Sequence, residues 1–125
     1  MFHHNKFFSW HIMDKTQLRQ CFGSFMTGVT IVTAMDDDAP IGFTANSFSS
    51  VSLDPALLLI CIDNASENLA AFTQGTGFGV NILAHDQQDL SNRFARPIDD
   101  RFAEVDWTVT SNGNPALGGT AAFFD

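Results

Sequence analysis

The sequence predicts a mixed α+β fold, mainly β, built on an antiparallel sheet or barrel. Three observations carry this. Residues 29–34 (VTIVTA) are β-branched at every position but the last and read as a strand. Residues 36–40 (DDDAP) form a charged turn, and residues 41–46 (IGFTAN) return as the hairpin partner. Further strand-like runs recur at 56–62, 78–83 and 107–111, separated by only short helical patterns. A hairpin so early in the chain argues against a doubly wound parallel sheet.

Taken in order, the first pattern is helical. Asp14 can cap, with Gln17 three residues on, and Leu18, Cys21, Phe22 and Phe25 fall on one stripe before a stop at Gly28. After the hairpin comes a stretch with four serines, Ser47, Ser49, Ser50 and Ser52, interleaved with Phe48, Val51 and Leu53. Residues 56–62 (ALLLICI) are continuously apolar, the pattern of a strand buried on both faces. Ser66 is placed to cap a short helix over 67–74 with Leu69 and Phe72 inward. Residues 78–83 (FGVNIL) read as a strand, and Asp86 opens a helix with Leu90 and Phe94 on one side. Residues 107–111 (WTVTS) form a strand, NGNP a turn, and GGTAAFF the start of one more strand.

The totals narrow the function. The chain has 125 residues, enough for one domain, with 45% apolar and 16% charged residues. A net charge of −8 argues against nucleic acid or an anionic membrane as partner, since both call for a basic patch. No run reaches the roughly 20 apolar residues of a membrane span. The opening MFHHNKFFSWHI is too interrupted by polar residues for a secretion signal. Residues 1–13 read as an N-terminal extension, disordered or translated from an upstream start, so that Met1 and Met13 are both possible starts. Cys21 and Cys61 follow no metal or redox spacing and sit in apolar settings, which predicts buried free thiols in a reducing cytoplasm.

Several motifs yield to plainer readings. GTGFG at 75–79 follows a helix and opens a strand, the reverse of a dinucleotide fingerprint, so a helix stop and turn explain it. His85 is the sole histidine beyond the N-terminal stretch, and no G-x-S-x-G accompanies it, so acyl-transfer chemistry is disfavoured. Asp99-Asp100 reads as a solvated loop, and no histidine–carboxylate cluster has metal-ligand spacing. The serine stretch stands between two readings. Its hydroxyls, with Asn46 and the neighbouring Phe43 and Phe48, suit a flat ligand rich in acceptors. Alternatively each hydroxyl caps its own backbone in a turn.

The segments FGSFMTGVTIVTA, PIGFTANSFSSVSLDPALLLICID, SENLAAF and GFGVNILAHDQQDLSNRFA, followed by Arg101, Phe102 and Trp107, tip this balance. In order and spacing, from Leu18 to the end, they resemble the flavin reductase-like family. These are split-barrel FMN-binding domains, many of them reductase components of two-component flavin monooxygenases. The resemblance implies a split β-barrel and a cofactor site in several pieces. Pro40, Ile41, Gly42, Phe43 and Thr44 match a segment along the flavin, and Asn46 and Ser47 its polar contacts. Cys61, Ile62 and Asp63 match the end of a strand touching the cofactor. Glu67 and Asn68 match a helix start near the phosphate, and Arg93 and Phe94 a further contact. A helix start and an arginine both suit a phosphate. Glu67 departs from the basic or neutral residue that many relatives carry.

The resemblance further implies an NAD(P)H-dependent flavin reductase acting on FMN, with FAD possible, as a cytoplasmic homodimer supplying reduced flavin to a monooxygenase. No side chain is expected to act as a nucleophile, since the cofactor carries the reactivity. Relatives continue past GG-x-x-A-x-F into strands with a Gly-Asp-His stretch associated with nicotinamide binding. Residues 14–125 are therefore expected to be the front part of a longer domain. The alternative is a non-catalytic FMN-binding module or an inactive fragment.

Overall fold

The computed structural model describes residues 14–16 and 28–125. Its elements run β1 (Thr30–Asp36), β2 (Ala39–Ala45), β3 (Ser49–Leu53), β4 (Ala56–Leu59), α1 (Leu69–Gln74), β5 (Gly79–Ile82), α2 (Gln88–Ala95), β6 (Trp107–Val109), β7 (Pro115–Leu117) and β8 (Ala122–Phe124). The fold is α+β and mainly β, as expected. The helical stripe Leu18, Cys21, Phe22 and Phe25 lies outside the described residues.

The β-branched run anticipated as a strand forms the centre of the main sheet. Four antiparallel strands lie in the order β2-β1-β5-β8. Residues 30–34 of β1 are buried, which explains why Thr, Ile and Val fill both faces. The β1–β2 hairpin closes over Asp37 and Asp38, with Asp37 at φ 53°, a left-handed position that aspartate tolerates. Strand alternation sorts the side chains. Ile31, Thr33 and Asn81 share one face, opposite Gly42 and Thr44 of β2. Val32 and Val80 share the other with Phe43, whose ring meets Phe72 of α1 edge-on at 5.3 Å.

On the first face Ile31 packs with Phe94 of α2, Phe102 and Leu117, flanked by Leu83, Leu90, Val105 and Trp107. Phe94 meets Phe102 edge-on at 5.0 Å, and Phe102 meets Trp107 at 5.6 Å. Burying one such side chain contributes about 1.5–3 kcal/mol. The same face carries a polar knot. Asn81 is fully buried and donates through Nδ2 to the Ile31 carbonyl at 3.0 Å and to Thr33 Oγ1 at 3.1 Å. Its Oδ1 accepts from the Leu117 N–H at 2.8 Å, while Thr33 Oγ1 donates to the Pro115 carbonyl at 2.6 Å. The β6–β7 hairpin, turning at Gly113 with φ 87°, is thereby bonded to the main sheet through side chains.

Four expectations are corrected. The run at 56–62 is not a strand buried on both faces: β4 covers Ala56–Leu59, and Leu57 and Leu59 are each 52% exposed. Its apolar character is real, but among the described residues β4 pairs only with β3, and this two-stranded ribbon is open on its flanks. Cys61, just beyond it, is a free thiol but exposed rather than buried. The serine stretch is no turn: residues 49–53 form β3, with a register irregularity between Ser50 and Ser52. The helices start later than Ser66 and Asp86 would set them. Asn68 and Gln87 hold the N-cap positions without side-chain cap bonds. Pro115–Leu117 was not anticipated as a strand, because NGNP reads as turn and Pro disfavours a ladder position.

Asn81→Leu keeps the volume but orphans the Leu117 N–H, and is expected to cost about 2–4 kcal/mol in urea unfolding. Thr33→Val is expected to cost about 1–3 kcal/mol in the same assay. Unchanged midpoints in both would show that apolar packing alone holds the hairpin.

Candidate functional site

One cavity of about 590 Å³ gathers residues from four separate segments. They are the first half of β2 (Pro40, Ile41, Gly42, Phe43), the chain after β4 (Ile62, Asp63), the turn before α1 (Ser66, Glu67, Asn68) and residues 97–102 after α2. β2 is an edge strand of the main sheet, so its outer backbone groups are available to whatever lies beside it.

Local chemistry builds each wall. Asp63 Oδ1 accepts from the Ala65 N–H at 2.9 Å, and the Ser66 N–H donates to the Asp63 carbonyl at 2.9 Å. Ser66 Oγ in turn accepts from the Asn68 N–H at 3.3 Å. This pair of side-chain turns leads the chain into α1 and sets the Ser66–Asn68 segment against the cavity. Across from it, Asp100 Oδ1 accepts from the N–H groups of Phe102 and Ala103 at 3.0 and 3.1 Å. Arg93 of α2 ties the same loop down, donating to the carbonyls of Arg101, Asp100 and Ala103 at 2.7, 3.2 and 2.8 Å. Arg101 bridges from loop to sheet: Nε donates to the Arg96 carbonyl at 3.0 Å and Nη1 to the Gly42 carbonyl at 2.9 Å.

Gly42 suits this geometry. A Cβ there would lie 3.0 Å from the Val32 carbonyl oxygen, 3.1 Å from the Phe94 ring and 3.2 Å from Thr33 Cγ2. A side chain at this position would have to push α2 and β1 back by a few tenths of an ångström. The cavity is therefore a consequence of the Phe94 core, which draws α2 and its following loop over the edge of the sheet.

The sequence-based site residues divide. Pro40, Ile41, Gly42, Phe43, Ile62, Asp63, Glu67 and Asn68 line the cavity together. Thr44 does not: its hydroxyl donates to the Ser91 carbonyl at 2.6 Å and fastens α2 to β2. Ser47 is 3.2 Å from both the N–H and the carbonyl of Cys61, a local clasp between the chains entering β3 and leaving β4. Asn46 and Cys61 are exposed and outside the cavity lining. Phe94 is core, and Arg93 is turned to the loop behind the cavity wall. Ser50 and Ser52 line a different groove of about 730 Å³, with Phe48, Leu53, Leu57 and Phe124. Phe48 stacks on Phe124 there, with centroids 5.6 Å apart, so it does not join Phe43 around a common ligand. His85 is exposed, in keeping with a surface role, and no group of metal-ligating side chains occurs among the described residues.

Arg101, Ser66 and the loop from Pro97 were missed as cavity residues. Arg101 and Phe102 were noticed only as a sequence signature. The signal available for them is an arginine directly after Asp99-Asp100, in a segment whose proline ends the helix, which the solvated-loop reading passes over.

Three comparisons bear on this arrangement. Residues 22–125 match the family described as flavin reductase like domain. The chain is 56% identical over 110 residues to the reductase component of a flavin-dependent trigonelline monooxygenase from Acinetobacter baylyi, covering 87% of this chain and 36% of that protein. It is 44% identical over 112 residues to an NADH-dependent FMN reductase from Agrobacterium fabrum, covering 90% and 64% respectively. Among solved structures, nitrilotriacetate monooxygenase component B from Mycobacterium thermoresistibile superposes with a TM-score of 0.84 at 39% identity, covering 90% of this chain and 63% of that one. The NADH:FAD oxidoreductase of Streptomyces globisporus, solved with NAD and FAD fragments, gives 0.82 at 40% identity, covering 88% and 67%. The chain thus spans from about a third to under two thirds of the length of these curated relatives. With the match extending over most of its length, the chain belongs to the flavin reductase like domain family.

Proposed function

We propose that the cavity beside β2 is a flavin site, and that the protein is an NADH-dependent flavin reductase delivering reduced flavin to a partner monooxygenase. The observation that carries this is convergence. Residues 40–43, 62–63 and 66–68 come from three separate segments and share one cavity in a chain so similar to named reductase components.

The residues present fit FMN. The cavity falls within the roughly 300–1,000 Å³ of small-molecule sites. Phe43, Ile62, Ile98 and Phe102 supply apolar surface for a flat ring system. Ser66, Asn68 and the outer edge of β2 supply hydrogen-bonding groups for its carbonyl and nitrogen rim, and Arg101 supplies a cation for a phosphate. When bound, the flavin accepts a hydride from reduced nicotinamide and carries the electrons onward. The chain's own part is to bind, orient and shield the ring, which requires no nucleophile. Asp63, Glu67, Asp99 and Asp100 are all exposed, so solvent screens their charges, and Asp63 and Asp100 also accept backbone N–H bonds.

The same reading includes a homodimer in the cytoplasm, a split-barrel domain over residues 14–125, and the use of FAD or NADPH as lesser alternatives to FMN and NADH. The relatives named as reductase components and as an NADH-dependent FMN reductase support the reductase part of this reading, and the NADH:FAD oxidoreductase of Streptomyces globisporus supports FAD as an alternative flavin. No helix among the described residues is long and apolar enough to cross a membrane.

FMN titrated into the protein is expected to bind saturably, with quenching of flavin fluorescence. Ser66→Ala with Asn68→Ala is expected to weaken binding by about 1–3 kcal/mol, as two polar contacts are lost. Affinity unmoved by that pair would place the flavin elsewhere. Spectrophotometric NADH oxidation with added FMN tests turnover, and a protein that binds FMN but leaves NADH intact would be a binding module rather than a reductase.

A further inference from the structure

α2 leads into one wall of the cavity, and few bonds set its seat on the sheet. At its start, Gln87 Nε2 donates to the Gly118 carbonyl at 2.8 Å, and Gln87 Oε1 accepts from the Ala84 N–H at 2.9 Å. Within the helix, the Ser91 carbonyl accepts from the Thr44 hydroxyl at 2.6 Å. Among the described residues this is the one hydrogen bond between α2 and the main sheet. A carbonyl oxygen has two lone pairs, so Ser91 can accept it without leaving the helix ladder. Thr44 lies outside the cavity lining, on the β2 face that it shares with Gly42.

Two fixed points orient a short helix. Gln87 pins the first, and Thr44 pins the second, ahead of Phe94 and the run into residues 97–102. The Phe94 ring against Gly42 adds burial but little direction, because apolar packing is not directional. The loop follows the helix, since Arg93 holds the carbonyls of Asp100, Arg101 and Ala103. Arg101 also reaches β2, at the Gly42 carbonyl, but through a long side chain with many rotamers that can accommodate a shift. The Thr44 hydroxyl sits on a short β-branched stem that is stiff at χ1. A helix released at Thr44 would pivot about Gln87, and Pro97, Ile98 and Phe102 would move relative to the edge of β2.

We propose that Thr44 is a positioning residue for the flavin: through Ser91 it sets the spacing between β2 and the 97–102 wall, and with it how closely the ring is enclosed. This rests on the flavin reading of the cavity. It gives Thr44 a role other than the place along the flavin that the sequence resemblance implies. Ile98 and Phe102 are that wall's apolar surface for the ring, so the effect falls on phosphorylated and unphosphorylated flavins alike.

The test is titration of FMN and of riboflavin, which lacks the phosphate, into the full chain and its Thr44→Val, Thr44→Ala and Thr44→Ser variants. Each variant is also made with Trp10→Phe, which leaves Trp107 as the sole tryptophan. Trp107 reports on the wall through Phe102, which in turn meets Phe94 of α2. Thr44→Val keeps the volume and loses the donor, and Thr44→Ala replaces it if circular dichroism shows that it does not fold. Either is expected to shift Trp107 emission in the absence of ligand. Either is also expected to weaken both flavins by about 3- to 10-fold, the range of one neutral hydrogen bond, at an unchanged FMN-to-riboflavin ratio. Thr44→Ser, which keeps the hydroxyl, is expected to restore both affinities. Unchanged affinities in the Val or Ala variant would overturn the positioning role, as would a loss confined to FMN or a Ser variant without recovery. A loss with Trp107 emission unmoved would make Thr44 a direct contact and overturn it too. All four results leave the flavin site standing, whereas binding of neither flavin by the unsubstituted chain would overturn the flavin reading itself.

Discussion

The buried amide of Asn81, with the Thr33 hydroxyl beside it, ties the β6–β7 hairpin to the main sheet. Asn81 is enclosed in the face where Ile31, Phe94 and Leu117 pack, and it bonds to β1 and β7 at once. A polar side chain in such a place is tolerable only when its donors and acceptors are matched, and here they are, with Thr33 completing the set. Apolar packing would accept a range of hairpin positions, whereas this knot accepts one register. The chain between α2 and β6 is then confined between two fixed ends, and the aromatic series Phe94, Phe102 and Trp107 sets how closely it lies on the sheet. The cavity is the space left between that segment, the edge of β2 and the turn before α1.

The candidate site is shaped more by main-chain bonding than by side-chain pairing. Asp63, Ser66 and Asp100 fix turns through bonds to backbone N–H groups, and the two arginines fix the opposite wall through carbonyls. Each bond contributes on the order of 1 kcal/mol, more where a charge is involved. Together they order the loop, which Phe102 anchors in the core with Val105 packed beside it. Binding to a wall already ordered avoids part of the entropy loss of recruiting a mobile one.

Much of this was legible in the sequence, for reasons that differ by element. The β1–β2 hairpin was readable because a β-branched run, a charged turn and a second apolar run all agree locally. The face of α2 was readable from Leu90 and Phe94 four apart. The apolar run after Pro55 misled because hydrophobic content does not report how many neighbours a strand has, and β4 has one among the described residues. The cavity segments at 40–43, 62–63 and 67–68 came from resemblance, since no local pattern marks residues so far apart as neighbours. Arg93 and Arg101 could not be told apart in sequence. Each is an arginine followed by phenylalanine, and only the path of the loop shows which one faces the cavity.

The arginine clamp also bears on how this region tolerates change over evolutionary time. Its acceptors are peptide carbonyls at positions 42, 96, 100, 101 and 103, and every amino acid supplies a carbonyl. Substitutions at positions 96 and 103, whose side chains are exposed, leave those acceptors in place. Drift in the loop is therefore compatible with an unchanged wall, provided the two guanidinium groups and the backbone path persist. A clamp built on carboxylates would have tied its survival to particular acidic residues.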